Sequence, residues 1–200
     1  MYRPTRLQTS LAMRGIGMIE VLVTLLIISV GFLSMAGLQT VAKRSNFDAV
    51  QRTTAVILAQ DILEKMRANP LSLEEYLTSA AGLGGGTLTE PTQACSSAER
   101  CNTAQLAAYD QWLWEQSIDG ATETRMLDGA TTETGGLSEP TGCVSGPAAG
   151  GAGLYSVTIV WRGLSELTNI SDNECGAGSG NYGDADQFRR ILEIQVYIAS

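Results

Sequence analysis

Histidine is missing from all 200 residues. The commonest general base and metal ligand is therefore absent. Basic residues are few, 13 Lys and Arg against 21 Asp and Glu, and the formal charge is −8. Such an acidic chain does not offer the broad basic surface that binds DNA. Glycine-rich stretches are present, but no Lys-Ser/Thr follows them to cradle a phosphate, so they read as linkers. No nucleophile elbow occurs, no CxxC pair accompanies the four cysteines, and neither a cofactor nor a metal site is expected. What remains is a chain with 44% hydrophobic residues, 22 glycines and one long apolar run near its start. That length accommodates one domain and a membrane segment.

The most informative stretch is Arg14-Gly15-Ile16-Gly17-Met18-Ile19-Glu20-Val21-Leu22-Val23. A short basic leader with Arg3, Arg6 and Arg14 ends in glycine, and five residues later Glu20 stands at the mouth of the apolar run. A carboxylate within a membrane-spanning helix costs about 2–3 kcal/mol even on mild insertion scales. A plain anchor would not carry it, so Glu20 is expected to have a partner. Val21 to Ala42 holds 22 residues without a charge, enough to cross the ~30 Å hydrocarbon core as a helix. Lys43 and Arg44 follow, so the basic flanks are nearly balanced and orient the span only weakly. The short N-terminus is easier to keep cytoplasmic than a cysteine-bearing body, which places that body in the periplasm or outside the cell. Two other readings compete. Ser34-Met35-Ala36 before Gly37 has the form of a signal-peptide cleavage site, and an uncleaved anchor is also possible. Neither accounts for Gly15 and Glu20 together.

The stretch resembles the N-terminus of a type IV prepilin. In that family a prepilin peptidase cuts after the glycine and methylates the new terminus. The resemblance implies cleavage between Gly15 and Ile16, N-methylation of Ile16, and an assembly role for Glu20 as the fifth mature residue. Ile16, Gly17 and Met18 depart from the Phe, Thr or Ser, and Leu common there. Cleavage would remove three arginines and no acid, taking the charge from −8 to −11 before the new amine is counted.

Past the apolar run, Phe47, Val50, Ala55, Leu58, Ile62 and Met66 make one stripe at helical spacing. Gln51, Arg52, Gln60, Asp61 and Lys65 fill other faces. Asn69-Pro70 predicts the stop, because a residue before proline avoids the helical region. A helix from Ile16 to Ala68 would be roughly 80 Å long, the form of a pilin stem. Gly31 and Gly37 each weaken it by about 1 kcal/mol relative to alanine. Many pilins carry proline at the position of Gly37, so the resemblance implies flexibility there; close helix packing is the other reading.

Residues 70–103 and 120–153 have loop composition, with room for a short strand in the second. Asn102 or Thr103 predicts a helix cap, and the helix to Ser117 would turn Leu106, Tyr109, Leu113 and Trp112 to the core. Trp112 and Trp114 read as core aromatics. Leu154–Trp161 and Arg190–Ile198 alternate as half-buried strands of one antiparallel sheet covered by the long helix. Cys95 and Cys101 can close a short loop, which by elimination pairs Cys143 with Cys175; four cysteines permit three pairings. A Cys143–Cys175 bridge would tether residues 163–188 and add about 2–4 kcal/mol. Asp172, Glu174, Asp184 and Asp186 in that loop match no EF-hand spacing and read as a solvated acidic surface.

The expected architecture is α+β: leader 1–15, membrane or filament-core helix 16–42, and a periplasmic head 43–200 that includes the second half of the helix. Gly37-Leu38-Gln39, Cys101 with Tyr109-Asp110-Gln111-Trp112, and Tyr155–Trp161 resemble the PilV family of type IV pilus minor pilins. That resemblance implies no enzyme activity. It implies a subunit of a tip or priming complex serving twitching motility, adhesion or DNA uptake. Its partners would be prepilin peptidase, other minor pilins, the major pilin and the inner-membrane assembly platform, with no direct nucleic-acid contact. The chain would be held in the inner membrane of a Gram-negative bacterium before export into an extracellular pilus. A pseudopilin of a type II secretion system shares the leader and helix and is the alternative.

Overall fold

A computed structural model describes residues 17–96, 100–121, 123–127, 129–133, 135–168 and 171–199. The chain divides into two compact units, one reaching Arg44 and the other Ser45–Ser200. Helix α1 runs from Met18 to Ala68. In the first unit its side chains are exposed throughout, as expected of a helix that is apolar all round and has no cover of its own.

The second unit is built on the C-terminal part of α1. Ala55, Leu58, Ala59, Ile62, Leu63 and Met66 are buried there. The stripe is shifted from the predicted one at its start. Phe47 and Val50 are 37% and 62% exposed, while Gln51 is buried and its Oε1 accepts the Ser138 N–H at 2.9 Å. A polar residue on the core face is tolerated because its acceptor is satisfied.

After Asn69 the chain enters a 3-10 helix, Pro70–Tyr76, where loop had been expected. Helix α2, Thr103–Asp119, starts in a capping box: the Asn102 side chain accepts from Gln105 N, and the Gln105 side chain accepts from Asn102 N. It ends at Gly120, φ 77°, a left-handed residue that a Cβ would disfavour. The buried face of α2 is Ala107, Asp110, Trp114 and Ile118, not Leu106, Tyr109 and Leu113, which are only half-buried. Trp114 decides this rotation. Its indole N–H donates to Leu58 O at 2.8 Å, joining α2 to α1 through the core. Trp112 stays half-buried beside Tyr109, with ring centroids 5.8 Å apart.

Strands β1, Thr124–Leu127, and β2, Ala130–Glu133, form a separate hairpin. Strands β3, Thr141–Ser145, β4, Gly153–Arg162, and β5, Arg189–Ile198, form an antiparallel sheet in the order β3-β4-β5. Tyr155, Val157, Ile159 and Trp161 turn one face of β4 into the core, as their alternation predicts. Leu192, Ile194 and Val196 pack on the same core from β5. Strand β3 was hidden in glycine-rich composition. Gly142 is needed there because a Cβ would lie 2.6 Å from the Trp114 ring. The result is the pilin-like α+β fold: a long N-terminal helix packed, in the second unit, on a small antiparallel sheet.

Candidate functional site

Between Gly17 and Ala42 the chain carries a single charged group. Glu20 lies in the first turn of α1, is exposed, and its backbone N–H reaches Gly17 O at 3.0 Å. The hydroxyls further along are all satisfied by the helix itself. Thr24 donates to Val21 O, Ser29 to Leu25 O, Ser34 to Val30 O and Thr40 to Ala36 O, at 2.7–3.1 Å. Such back-bonding removes the cost of placing a hydroxyl in hydrocarbon. Among the described residues the Glu20 side chain has no such internal solution. The helix is long and apolar enough to cross a membrane, and none of its apolar stretch is buried within the chain.

Gly15 and Ile16 lie outside the described residues. Gly37 lies inside α1, which continues through it, and a Cβ built there would meet nothing within 4 Å. Close packing within the chain therefore does not account for this glycine.

Residues 37–112 match the family model of the Tt1218-like type IV pilins, described as Type IV pilin Tt1218. The match supports a type IV pilin. It begins at Gly37, runs along the second half of α1, and ends at Trp112 in α2. Neither a curated protein nor a solved structure matches the chain. Pilin architecture fits an apolar helix in the first unit and a sheet-backed head in the second.

The head is braced by covalent and polar ties. Cys95–Cys101 closes a loop ahead of α2, and Cys143–Cys175 fastens the long β4–β5 connection to β3. Tyr182, fully buried, adds to the second tie: its hydroxyl donates to Glu139 O at 2.9 Å and lies 2.8 Å from Thr141 Oγ1. Asp172, Glu174 and Asp184 are exposed, while Asp186 accepts from Gly178 N at 3.0 Å. Among the described residues no group of three or more His, Cys, Asp or Glu could hold a metal ion.

Two carboxylates on α2 organise what had read as a linker. Glu115, fully buried, accepts from Gly84 N at 3.0 Å, Thr87 N at 2.8 Å, the Thr87 hydroxyl, and Leu88 N at 2.8 Å. One turn on, Asp119 accepts from Gly85 N and Gly86 N. Leu83 pairs with Gly142 of β3, so the glycine segment ties α2 to the sheet edge. The helix was expected to end at Ser117, short of Asp119, and nothing local marks the partners of these two acids some 30 residues upstream.

A third tie is pH-dependent. The Tyr76 hydroxyl donates to Asp110 Oδ2 at 2.6 Å, and Asn69 Nδ2 donates to Thr103 O at 2.7 Å and to Tyr76 Oη at 3.3 Å. Burial pushes the Asp110 carboxyl above its ordinary 3.8, offset in part by the Tyr76 hydrogen bond and the Lys65 charge. A raised folded pKa favours the protonated form in the folded state. Its stabilising contribution is full below about 3.8 and is lost as pH rises through the folded value. Asp110→Asn should therefore gain stability relative to the parent between pH 3.5 and pH 7. Urea unfolding of both chains in detergent at the two pH values reads this; an unchanged difference would refute it.

Proposed function

We propose that the chain is a minor pilin that helps initiate a type IV pilus, within a tip or priming complex, and so supports motility, adhesion or DNA uptake. It acts as a structural subunit with no reaction of its own. The observation that carries the reading is the apolar part of α1, uncovered within the chain and interrupted by a single acid at its start. In the bilayer that surface is dissolved in lipid. In a water-surrounded filament it must bury against other stems, and apolar burial at ~25 cal/mol per Å² favours the transfer. Burial alone sets no register. Glu20 supplies one by pairing with the methylated amine of Ile16 on a neighbouring subunit, and an apolar surround makes a matched pair selective.

Prepilin peptidase would cut between Gly15 and Ile16. The inner-membrane assembly platform, other minor pilins and the major pilin would receive the product, first in the inner membrane of a Gram-negative bacterium and then in an extracellular pilus. Gly37, where an added Cβ would meet nothing within 4 Å among the described residues, would let the helix bend as stems bundle. The match to a type IV pilin model favours a pilus over a type II secretion apparatus.

The mature N-terminus, read by mass spectrometry, tests the proposal. A methylated Ile16 supports it; a terminus near Gly37 would indicate a signal peptide, and Met1 an uncleaved anchor. Gly15→Leu should leave the leader attached to essentially all of the protein, and normal processing of that variant would exclude the peptidase reading. Deleting the gene should then reduce surface pili while enzyme export continues; the reverse outcome would place the chain in the secretion apparatus.

A further inference from the structure

Lys43 and Arg44 are the first charges after the apolar part of α1, and both are exposed. The ion pairs of the described residues are Lys65–Asp61, Arg67–Glu64 and Arg189–Asp186, and neither Lys43 nor Arg44 takes part in one. Their placement runs against the topology they would normally favour. With the body on the far side of the membrane, they stand on the translocated side, where Lys and Arg are disfavoured next to a span. The uncharged residues Val21–Ala42 rise about 33 Å as a helix. That matches the ~30 Å hydrocarbon core and brings Lys43 and Arg44 out at the level of the headgroups.

The charge of the following chain sharpens the contrast. The 13 basic and 21 acidic residues divide as 5 and 1 before Ser45 and as 8 and 20 from Ser45 onward, a net −12 for the second unit. An acidic body joined directly to a span is repelled by an anionic membrane surface. A cationic pair at the junction opposes that repulsion.

We propose that Lys43 and Arg44 are a docking pair for the phosphates of anionic phospholipids at the end of the span. The inference rests on the membrane-stem reading above and adds a specific lipid class to it. The pair holds the subunit at a surface its acidic head would otherwise avoid. Bundling into a filament removes the subunit from these lipids, so the contact stabilises the membrane pool against premature extraction. Each cation near an anionic surface contributes roughly five-fold, which gives a preference of about thirty-fold for the pair at low salt. The preference should shrink as salt shortens the screening length.

The test uses the full chain reconstituted in phosphatidylcholine vesicles carrying a trace of photoactivatable phosphatidylglycerol or photoactivatable phosphatidylcholine with the same acyl chains. Cross-links are mapped by mass spectrometry, which separates labelling beside Lys43 and Arg44 from labelling at the leader arginines. The expected result is strong preference for the phosphatidylglycerol probe between residues 41 and 48, reduced at least ten-fold in K43Q/R44Q and in high salt. Both positions are exposed on a helix, so the double variant should fold. Equal labelling by the two probes, with residues 18–42 labelled by both, would overturn the lipid pair and leave the membrane stem standing. No labelling of residues 18–42 by either probe would overturn the stem and the pair together. Reduced entry of K43Q/R44Q into filaments with unchanged lipid labelling would assign the pair to a partner protein instead.

Discussion

Replacing Glu20 with alanine should leave export and leader removal intact and nearly empty sheared filaments of this subunit. The change removes the charge at the mouth of the apolar run, so insertion becomes no harder, and easier by less than the roughly 2–3 kcal/mol that a charge costs at mid-span. Every hydroxyl of that segment already bonds to its own helix, so none is free to replace the acid. The loss falls on assembly. A neighbour's amine would be left unpaired in an apolar bundle, and breaking a buried pair in this way costs about 3–5 kcal/mol. In competition for a filament position that is a factor on the order of one hundred to several thousand. Quantitative mass spectrometry of sheared filaments against the membrane fraction reads it. Wild-type abundance of E20A in filaments would show that Glu20 has no pairing role.

The second large effect is on the head. Glu115→Ala should destabilise it by about 3–5 kcal/mol, because three backbone N–H groups and one hydroxyl lose a shared buried acceptor together. The loss should be local first. Residues 84–88 would detach from α2, and Asp119 alone would hold Gly85 and Gly86. Glu115→Gln should fall between the two, since the amide keeps one acceptor oxygen but presents an N–H to a site lined by donors. Hydrogen exchange of residues 84–88, with urea unfolding of the same variants, measures both. Exchange in E115A as slow as in the parent would mean that the carboxylate does not hold the loop.

The two residues sit at opposite ends of what could be read from sequence. Glu20 was conspicuous because a charge in an apolar run is rare and costly wherever the chain folds. Glu115 was silent. Its partners come from a glycine segment whose composition is that of a linker, and only folding brings them to the carboxylate. The same distinction explains α2. Its start was legible as Asn102 or Thr103 because a cap is local, and the structure settles on Asn102, but its rotation was misread. Leu106, Tyr109 and Leu113 have the more apolar side chains, yet the indole N–H of Trp114 reaches Leu58 O and buries Asp110 beside Tyr76. Strand β3 was anticipated only as a short strand somewhere within 120–153, and its position stayed unmarked for a related reason. Gly142 weakens the strand signal, and its absence of a side chain is what lets Trp114 pack there.

The sequence by itself determined the α+β class, the long helix ending at Asn69-Pro70, the two long strands and the lone acid of the apolar segment. These follow from periodicity, chain stops and the cost of charge in hydrocarbon, which act over a few residues at a time. Only the tertiary structure decided which face of α2 is buried, where a third strand completes the sheet, that Gln51 belongs to the core face of α1, and that two carboxylates hold a glycine loop. Those features depend on groups distant in the chain satisfying one another's hydrogen bonds and volumes. No local pattern specifies such a match before the chain has folded.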